Sequence, residues 1–251
     1  MKSVVTLNFK TGKDEGLILK SVLITGTDTG VGKTIVCRHL AAYMQSKGVN
    51  VITQKWVQTG CDCADDIKDH MLKPLPAWGE VQDIDDLRTP YRLKLPASPH
   101  FAASLEEVEI DIKIIEESHA LLCKHFDLVL VEGSGGVLVP LTEKILLADL
   151  AVRLKMTVVL VVSNKLGCIN HALLSIEALR LRGIPILGLI FNRMDENGDE
   201  KILRENVRII SLIAGVPVIG EMPFLKSDAD GFDRAQDIGE AFYKRWRKNK
   251  K

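Results

Sequence analysis

The stretch TGTDTGVGKT, Thr25 to Thr34, has the residue types of a phosphate-binding loop. In such loops, backbone N–H groups of a glycine-rich turn and a helix N-terminus cradle phosphate oxygens. A lysine reaches the β- and γ-phosphates, and a Ser/Thr hydroxyl holds Mg²⁺. Those parts fall here to Gly30, Val31 and Gly32 as the cradle, then Lys33 and Thr34. The spacing departs from the usual pattern, which wants a glycine five positions before Gly32. Thr27 stands there, and Gly26 lies one residue earlier. Gly26, Gly30 and Gly32 can still supply the tight turn and close backbone approach. Thr27, Asp28 and Thr29 fill the loop with polar groups that can face a second substrate. That points to a transfer enzyme rather than a simple nucleotide binder.

Other chemically capable residues follow apolar runs. In KWVQTG, Lys55 would stand beside the loop and neutralise charge on a transferring phosphoryl group. Taken alone it is an ordinary lysine after a strand. In VLVEGSGG, Glu132 ends the run LVLV, where a carboxylate can meet Mg²⁺. Mg²⁺ takes one or two carboxylates together with phosphates and waters. The ADD at Ala64 to Asp66 offers a second carboxylate, or simply a helix cap with first-turn acids. In NKLGCINHALLSIEAL a glycine turn opens an apolar helix, and the N–H groups of Cys168, Ile169 and Asn170 suit a carboxylate. A plain capped helix reads the same way. Asn192 in FNRMD offers a donor and an acceptor suited to an adenine edge.

The elements that must position these residues are legible as short apolar runs: SVLIT, VNVITQK, DLVLVEG, TVVLVVSN, ILGLIFN and VPVIGEMP. Helical patterns lie between them; TIVCRHLAAYMQSKG is amphipathic and closes at Gly48. Runs apolar on both faces, alternating with helices, predict a mostly parallel β-sheet with helices on both faces. With the phosphate loop this is an α/β, single-domain P-loop NTPase fold. Ligands on such sheets bind beyond the strands' C-terminal ends. Residues Cys61 to Pro99 are rich in Asp and Pro, and predict loops with one or two short helices near the site. Residues 1–19 form an N-terminal extension, 20–240 the catalytic domain, and 241–251 a basic, solvated C-terminal tail.

Net charge is +0, so no global field attracts nucleic acid or an anionic membrane. Five cysteines are scattered without a CxxC pair, and the CDC at Cys61 and Cys63 has no partner pair at zinc spacing. Reduced thiols, apolar runs too short to span a bilayer and the lack of a secretory leader predict a cytoplasmic protein.

In this combination and order the chain resembles the dethiobiotin synthetases, the ATP-dependent carboxylases of biotin synthesis. Their loop is similar to GTDTxVGKT, with the same extra residue. Lys55 with QTG, SPH at Ser98 to His100, VEGSGG, KLGCINH, Asn192 and GEMPFL at Gly220 fall in the family's order. The match covers roughly residues 20 to 230. The resemblance implies that diaminopelargonate, CO₂ and ATP react with Mg²⁺ as cofactor, through a carbamate and a carbamic–phosphoric anhydride. It implies Lys33 and Lys55 as catalytic residues. It places Asp28, Gly30, Val31, Gly32, Lys33, Thr34, Glu132 and Asn192 against the nucleotide. Thr29, Lys55 and Thr59 would contact the substrate, with Gly167, Cys168, Ile169 and Asn170 at its distal carboxylate. Thr34, Glu132 and Asp66 would hold the metal, with Asp65 as the rival acid. In the family the carboxylate-binding helix start comes from the other subunit, which implies a homodimer.

Two departures from the family pattern stand out. Trp56 replaces a proline that would stiffen its turn, and is expected to pack against the dimer partner or the loop. Ser134 replaces an alanine in the glycine turn. Competing readings share the fold. Partition ATPases carry loops resembling GKGGVGKT, and Asp28 stands where their extra lysine would be. Cobyrinate-type amide synthetases need a glutaminase domain for which 251 residues leave no room. A purely structural nucleotide binder has no use for Lys55, Glu132 and a polar loop together.

Overall fold

The computed structural model describes residues 20–60, 84–225 and 236–249. The N-terminal extension, Cys61, Cys63, Asp65 and Asp66 lie outside the described residues.

Six of the predicted runs form one sheet: β1 (Ser21–Gly26), β2 (Val51–Gln54), β5 (Leu128–Gly136), β6 (Thr157–Asn164), β7 (Ile186–Arg193) and β8 (Val218–Met222). Their order is β2-β5-β1-β6-β7-β8, and every pairing is parallel. Two shorter strands, β3 (Val57–Thr59) and β4 (Tyr91–Leu93), pair separately, also in parallel. The apolar runs have no polar alternation because both faces are covered. Leu23, Val129, Val131, Val158 and Leu160 point into one core. Val22, Ile24, Leu128, Leu130 and Val159 point into the other. Successive side chains on a strand take opposite faces, so each strand feeds both cores.

The first core is roofed by α4 (Ile112–His125), α5 (Leu147–Arg153), α6 (Cys168–Leu181) and α7 (Glu200–Ala214). Of the segment Cys61 to Pro99, expected to hold loops and one or two short helices, residues 84–99 are described; they hold the short helix α2 (Ile84–Arg88) and the start of α3 (Pro99–Leu105). Local chemistry sets several ends. The Asp111 carboxylate accepts the Lys113 N–H at the start of α4, and Asp199 caps α7 through Lys201 N–H. Gly215 ends α7 in the left-handed conformation at φ 57°.

The second core is covered by α1 (Lys33–Ser46) and α8 (Gln236–Asn249). Helix α8 corrects the reading of 241–251 as a solvated tail. It runs through that boundary and buries Phe242 at 0% and Trp246 at 3% exposure. Ile238, Phe242 and Trp246 recur every four residues, one helical stripe under a basic surface. Each large apolar side chain buried this way contributes about 1.5–3 kcal/mol.

The parallel pairing collects the C-terminal ends of all six strands on one edge. Gly26, Gln54, Glu132, Asn164 and Asn192 lie at or near that edge.

Candidate active site

Strand β1 delivers the phosphate loop at the centre of the sheet, between β5 and β6. Its register with β5 shifts between Ile24 and Gly26, and the loop then folds back over the strand end. A Cβ on Gly26 would lie 2.5 Å from Val31 Cγ2 and 3.0 Å from the Asp28 carbonyl oxygen. The displaced glycine is therefore required where it stands. Gly32 caps α1 at φ 92°, and a Cβ there would fall 2.0 Å from Asn192 Nδ2. Both conformation and space exclude a side chain at Gly32.

Lys33 Nζ donates to the Asp28 carbonyl at 2.9 Å, lying back along the loop. Glu132, 3% exposed, is the hub of the site. Its Oε1 accepts from Thr34 Oγ1 at 3.0 Å and from Lys55 Nζ at 3.0 Å. Because β2 and β5 are neighbours, the residue after β2 and the start of α1 converge on a carboxylate midway along β5, which runs on to Gly136 rather than ending at Glu132 as the sequence suggested. Burial pushes the Lys33 ammonium below its ordinary range; Glu132 opposes this and Lys55 adds to it. Two cations and one anion are thus held in a poorly hydrated corner, where electrostatic interactions are strong.

These residues line a cavity of about 680 Å³ with Thr29, Gly30, Gly32, Thr59, Ser98, Pro99 and Met194. A cleft of similar volume, about 700 Å³, lies at the other edge of the sheet beside Lys20, Lys155, Arg245 and Lys248. Only the former stands at the strands' C-terminal ends, where α/β sheets bind ligands. Thr34 Oγ1 and Glu132 Oε1 are hard oxygens at one point, suited to Mg²⁺. Among the described residues no cluster of three or more His, Cys, Asp or Glu could hold a metal.

The protein-family profile described as an AAA domain matches residues 20–229. The chain is 42% identical over 209 residues to the ATP-dependent dethiobiotin synthetase of Chlorobaculum tepidum, covering 83% of this chain and 87% of that protein. It is 43% identical over 179 residues to dethiobiotin synthetase 2 of Haemophilus influenzae, covering 70% and 93%. The chain belongs to the ATP-dependent dethiobiotin synthetase family. Solved structures with the same fold include a ParA family ATPase from Chlorobium tepidum (TM-score 0.53, 13% identity, 92% of this chain and 97% of that one). The septum site-determining protein MinD with Mg-ADP from Pyrococcus horikoshii is similar (TM-score 0.56, 15% identity, 91% and 95%). At these identities they establish the P-loop fold alone.

The family's motif residues are distributed unevenly around the cavity. Thr29, Gly30, Gly32, Lys33, Thr34, Lys55, Thr59 and Glu132 are brought together. Asp28, Val31 and Cys168 line a separate cleft of about 120 Å³ across the loop, with Lys165 and His171. The three amides at the start of α6 are not equivalent: the Cys168 N–H is already committed to the Lys165 carbonyl at 3.1 Å. The expectation that it is available is corrected; the left-handed Gly167 closes that turn before the helix begins. Asn192 is 4% exposed and donates to the Val31 carbonyl at 2.9 Å, so it braces the loop in this structure. Trp56 is likewise corrected. It is 1% exposed inside the core, edge-on to His119, rather than presented to a partner or to the loop. The Ser134 hydroxyl donates to the Val57 carbonyl at 2.7 Å and ties the glycine turn to β3.

Sequence reasoning missed the supports of Lys55. Its N–H donates to the Arg88 carbonyl at 2.8 Å. Arg88, 3% exposed, returns its guanidinium to the Thr53 carbonyl at 3.1 Å and Thr53 Oγ1 at 3.0 Å. The only signal in the sequence was a charged residue ending an otherwise ordinary IDDLR helix.

Proposed function

We propose that this protein forms dethiobiotin from diaminopelargonate, CO₂ and ATP, releasing ADP and phosphate. The observation that carries the reading is Glu132 bridging Thr34 and Lys55, at 3.0 Å each, beside the phosphate loop. Family membership supports it, since the named relatives are ATP-dependent dethiobiotin synthetases.

The chemistry follows from what each reactant lacks. One amine of the diamine adds to CO₂ and loses a proton, giving a carbamate. A carbamate is a poor electrophile. Its oxygen attacks the γ-phosphate, ADP leaves, and the resulting carbamic–phosphoric anhydride now carries phosphate as a leaving group. The second amine attacks that carbonyl, expels phosphate and closes the ureido ring. This last step is intramolecular, so proximity does much of the work.

Lys33 and Lys55 hold the transferring phosphoryl group and the carbamate by charge. Thr34 and Glu132 would hold Mg²⁺, with Asp66 or Asp65 completing the set. The ion, when bound, neutralises charge that develops on the phosphate oxygens. The loop amides of Gly30, Val31 and Gly32 cradle the phosphates beside Asp28, and Asn192 meets adenine. Thr29 and Thr59 face the amine end of the substrate.

The distal carboxylate goes to Gly167, Ile169 and Asn170 of a second copy, with Cys168 closing the turn. A homodimer is therefore part of the proposal. Its support is that Leu166, before α6, and Leu174, on it, are 85% and 57% exposed, large apolar groups that association would cover. Among the described residues no helix is long and apolar enough to cross a membrane. A cytoplasmic location without a nucleic-acid or membrane partner is part of the proposal, on the zero net charge of the chain.

The test is direct. Purified protein with diaminopelargonate, bicarbonate and MgATP is expected to release phosphate in proportion to diamine consumed, with dethiobiotin as product. Phosphate release indifferent to the diamine would refute the reading.

A further inference from the structure

Lys55 stands one residue beyond the end of β2, which among the described residues lies at the edge of the sheet with β5 as its only neighbour. The ladder that fixes β2 therefore stops short of the lysine. Beside it lies a chain of buried polar groups that the reaction chemistry does not use: Gln54 at 0% exposure, Trp56 at 1% and His119 at 4%. Burying such groups is unfavourable unless each is hydrogen-bonded.

The bonds fix one another's direction. Gln54 Nε2 donates to the Leu87 carbonyl at 3.0 Å, which can only accept. Gln54 Oε1 is therefore the acceptor. It takes the Trp56 Nε1–H at 3.2 Å and faces His119 Nδ1 at 2.8 Å. His119 Nδ1 must then carry the proton. Nε2 of the neutral ring is left as an acceptor for the Cys123 thiol, 3.4 Å away. The network runs from α4 through Gln54 to α2 and Trp56. It grips the residues on both sides of Lys55.

We infer that Gln54, held by His119 and Trp56, is a positioning residue that sets where the Lys55 ammonium stands against Glu132. The inference rests on the catalytic role proposed above for Lys55. Packing alone could be met by apolar side chains of similar volume, which replace a satisfied polar pair at little net cost. What the network adds is direction. Displacing a reacting or charge-stabilising group by about 1 Å costs on the order of 100-fold in rate.

The experiment compares kcat and KM for diamine-dependent phosphate release in four variants, with ADP affinity measured by calorimetry. Gln54→Leu is expected to lower kcat about 100-fold. Trp56→Phe, which loses one of the two bonds to Oε1, should lower it several-fold. His119→Leu should lower kcat about tenfold. His119→Asn, whose amide nitrogen can donate from the place of Nδ1, should restore most of that loss. ATP KM and ADP affinity should stay within about threefold throughout, because the phosphate loop is untouched. If His119→Asn and His119→Leu have equal kcat, or if the losses appear in ATP KM, the positioning role is overturned. An unsubstituted protein without diamine-dependent turnover would instead refute the functional reading, and this inference with it. Should Gln54→Leu fail to fold, the His119 pair and Trp56→Phe still decide.

Discussion

Acid should destabilise this protein partly through one residue, His119. The ring lies on the buried face of α4, 4% exposed, with Gln54 and Cys123 at its two nitrogens. Neither partner is a carboxylate that could stabilise an imidazolium. Burial pushes its pKa down from 6.5 to about 4. The native state thus binds fewer protons than the unfolded chain between those values, and stability rises with pH across that window. The contribution is whole above about pH 6.5 and is lost as pH falls towards about 4. A shift of that size corresponds to about 3 kcal/mol when complete, and about 2 kcal/mol between about pH 7.5 and pH 5. Urea unfolding followed by tryptophan fluorescence over this range measures it, with His119→Asn as the reference. Carboxylates titrate alike in both proteins, so their effects cancel in the difference. The difference curve should slope by about 2 kcal/mol over that interval. A curve flat to within about 0.5 kcal/mol would mean that the ring is solvated or already charged, and would remove the basis for reading Nε2 as an acceptor for the Cys123 thiol.

Four further outcomes are expected. Lys55→Ala should lower turnover by about 1,000-fold or more while ADP binds within about threefold, since charge stabilisation is lost but the loop remains; calorimetry with steady-state kinetics separates the two. Gly32→Ala should weaken ADP binding at least about tenfold, because φ 92° and the 2.0 Å approach to Asn192 Nδ2 both forbid the methyl group. Thr34→Val should raise the Mg²⁺ concentration needed for half-maximal phosphate release by about tenfold or more, with little change in unfolding midpoint. Trp246→Ala should cost about 3–5 kcal/mol in urea unfolding, as expected of a large side chain removed from a core rather than from a frayed tail.

The fold was largely legible because its signals are local. A short, β-branched apolar run with no polar alternation fits a strand covered on both faces, and six such runs separated by helical patterns leave few arrangements besides a parallel sheet. The phosphate loop was equally local: Gly26, Gly32, Lys33 and Thr34 act within nine residues of chain. Helix α8 was misread because its basic composition hid the stripe of Ile238, Phe242 and Trp246. Composition averages over faces that a helix keeps apart.

By itself, then, the sequence determined where the six strands of the sheet run and what chemistry the residues on and after them bring, since those facts depend on neighbours along the chain; it did not show that β5 continues past Glu132 to Gly136. Strand order was a tertiary decision. Placing β2 against β5 is what brings Lys55 within 3.0 Å of Glu132, 77 residues away. The pairing of Gln54 with His119, 65 residues apart, was decided in the same way. A buried hydrogen bond between distant residues leaves no period or spacing in the sequence, because only packing determines which helix face meets which strand end.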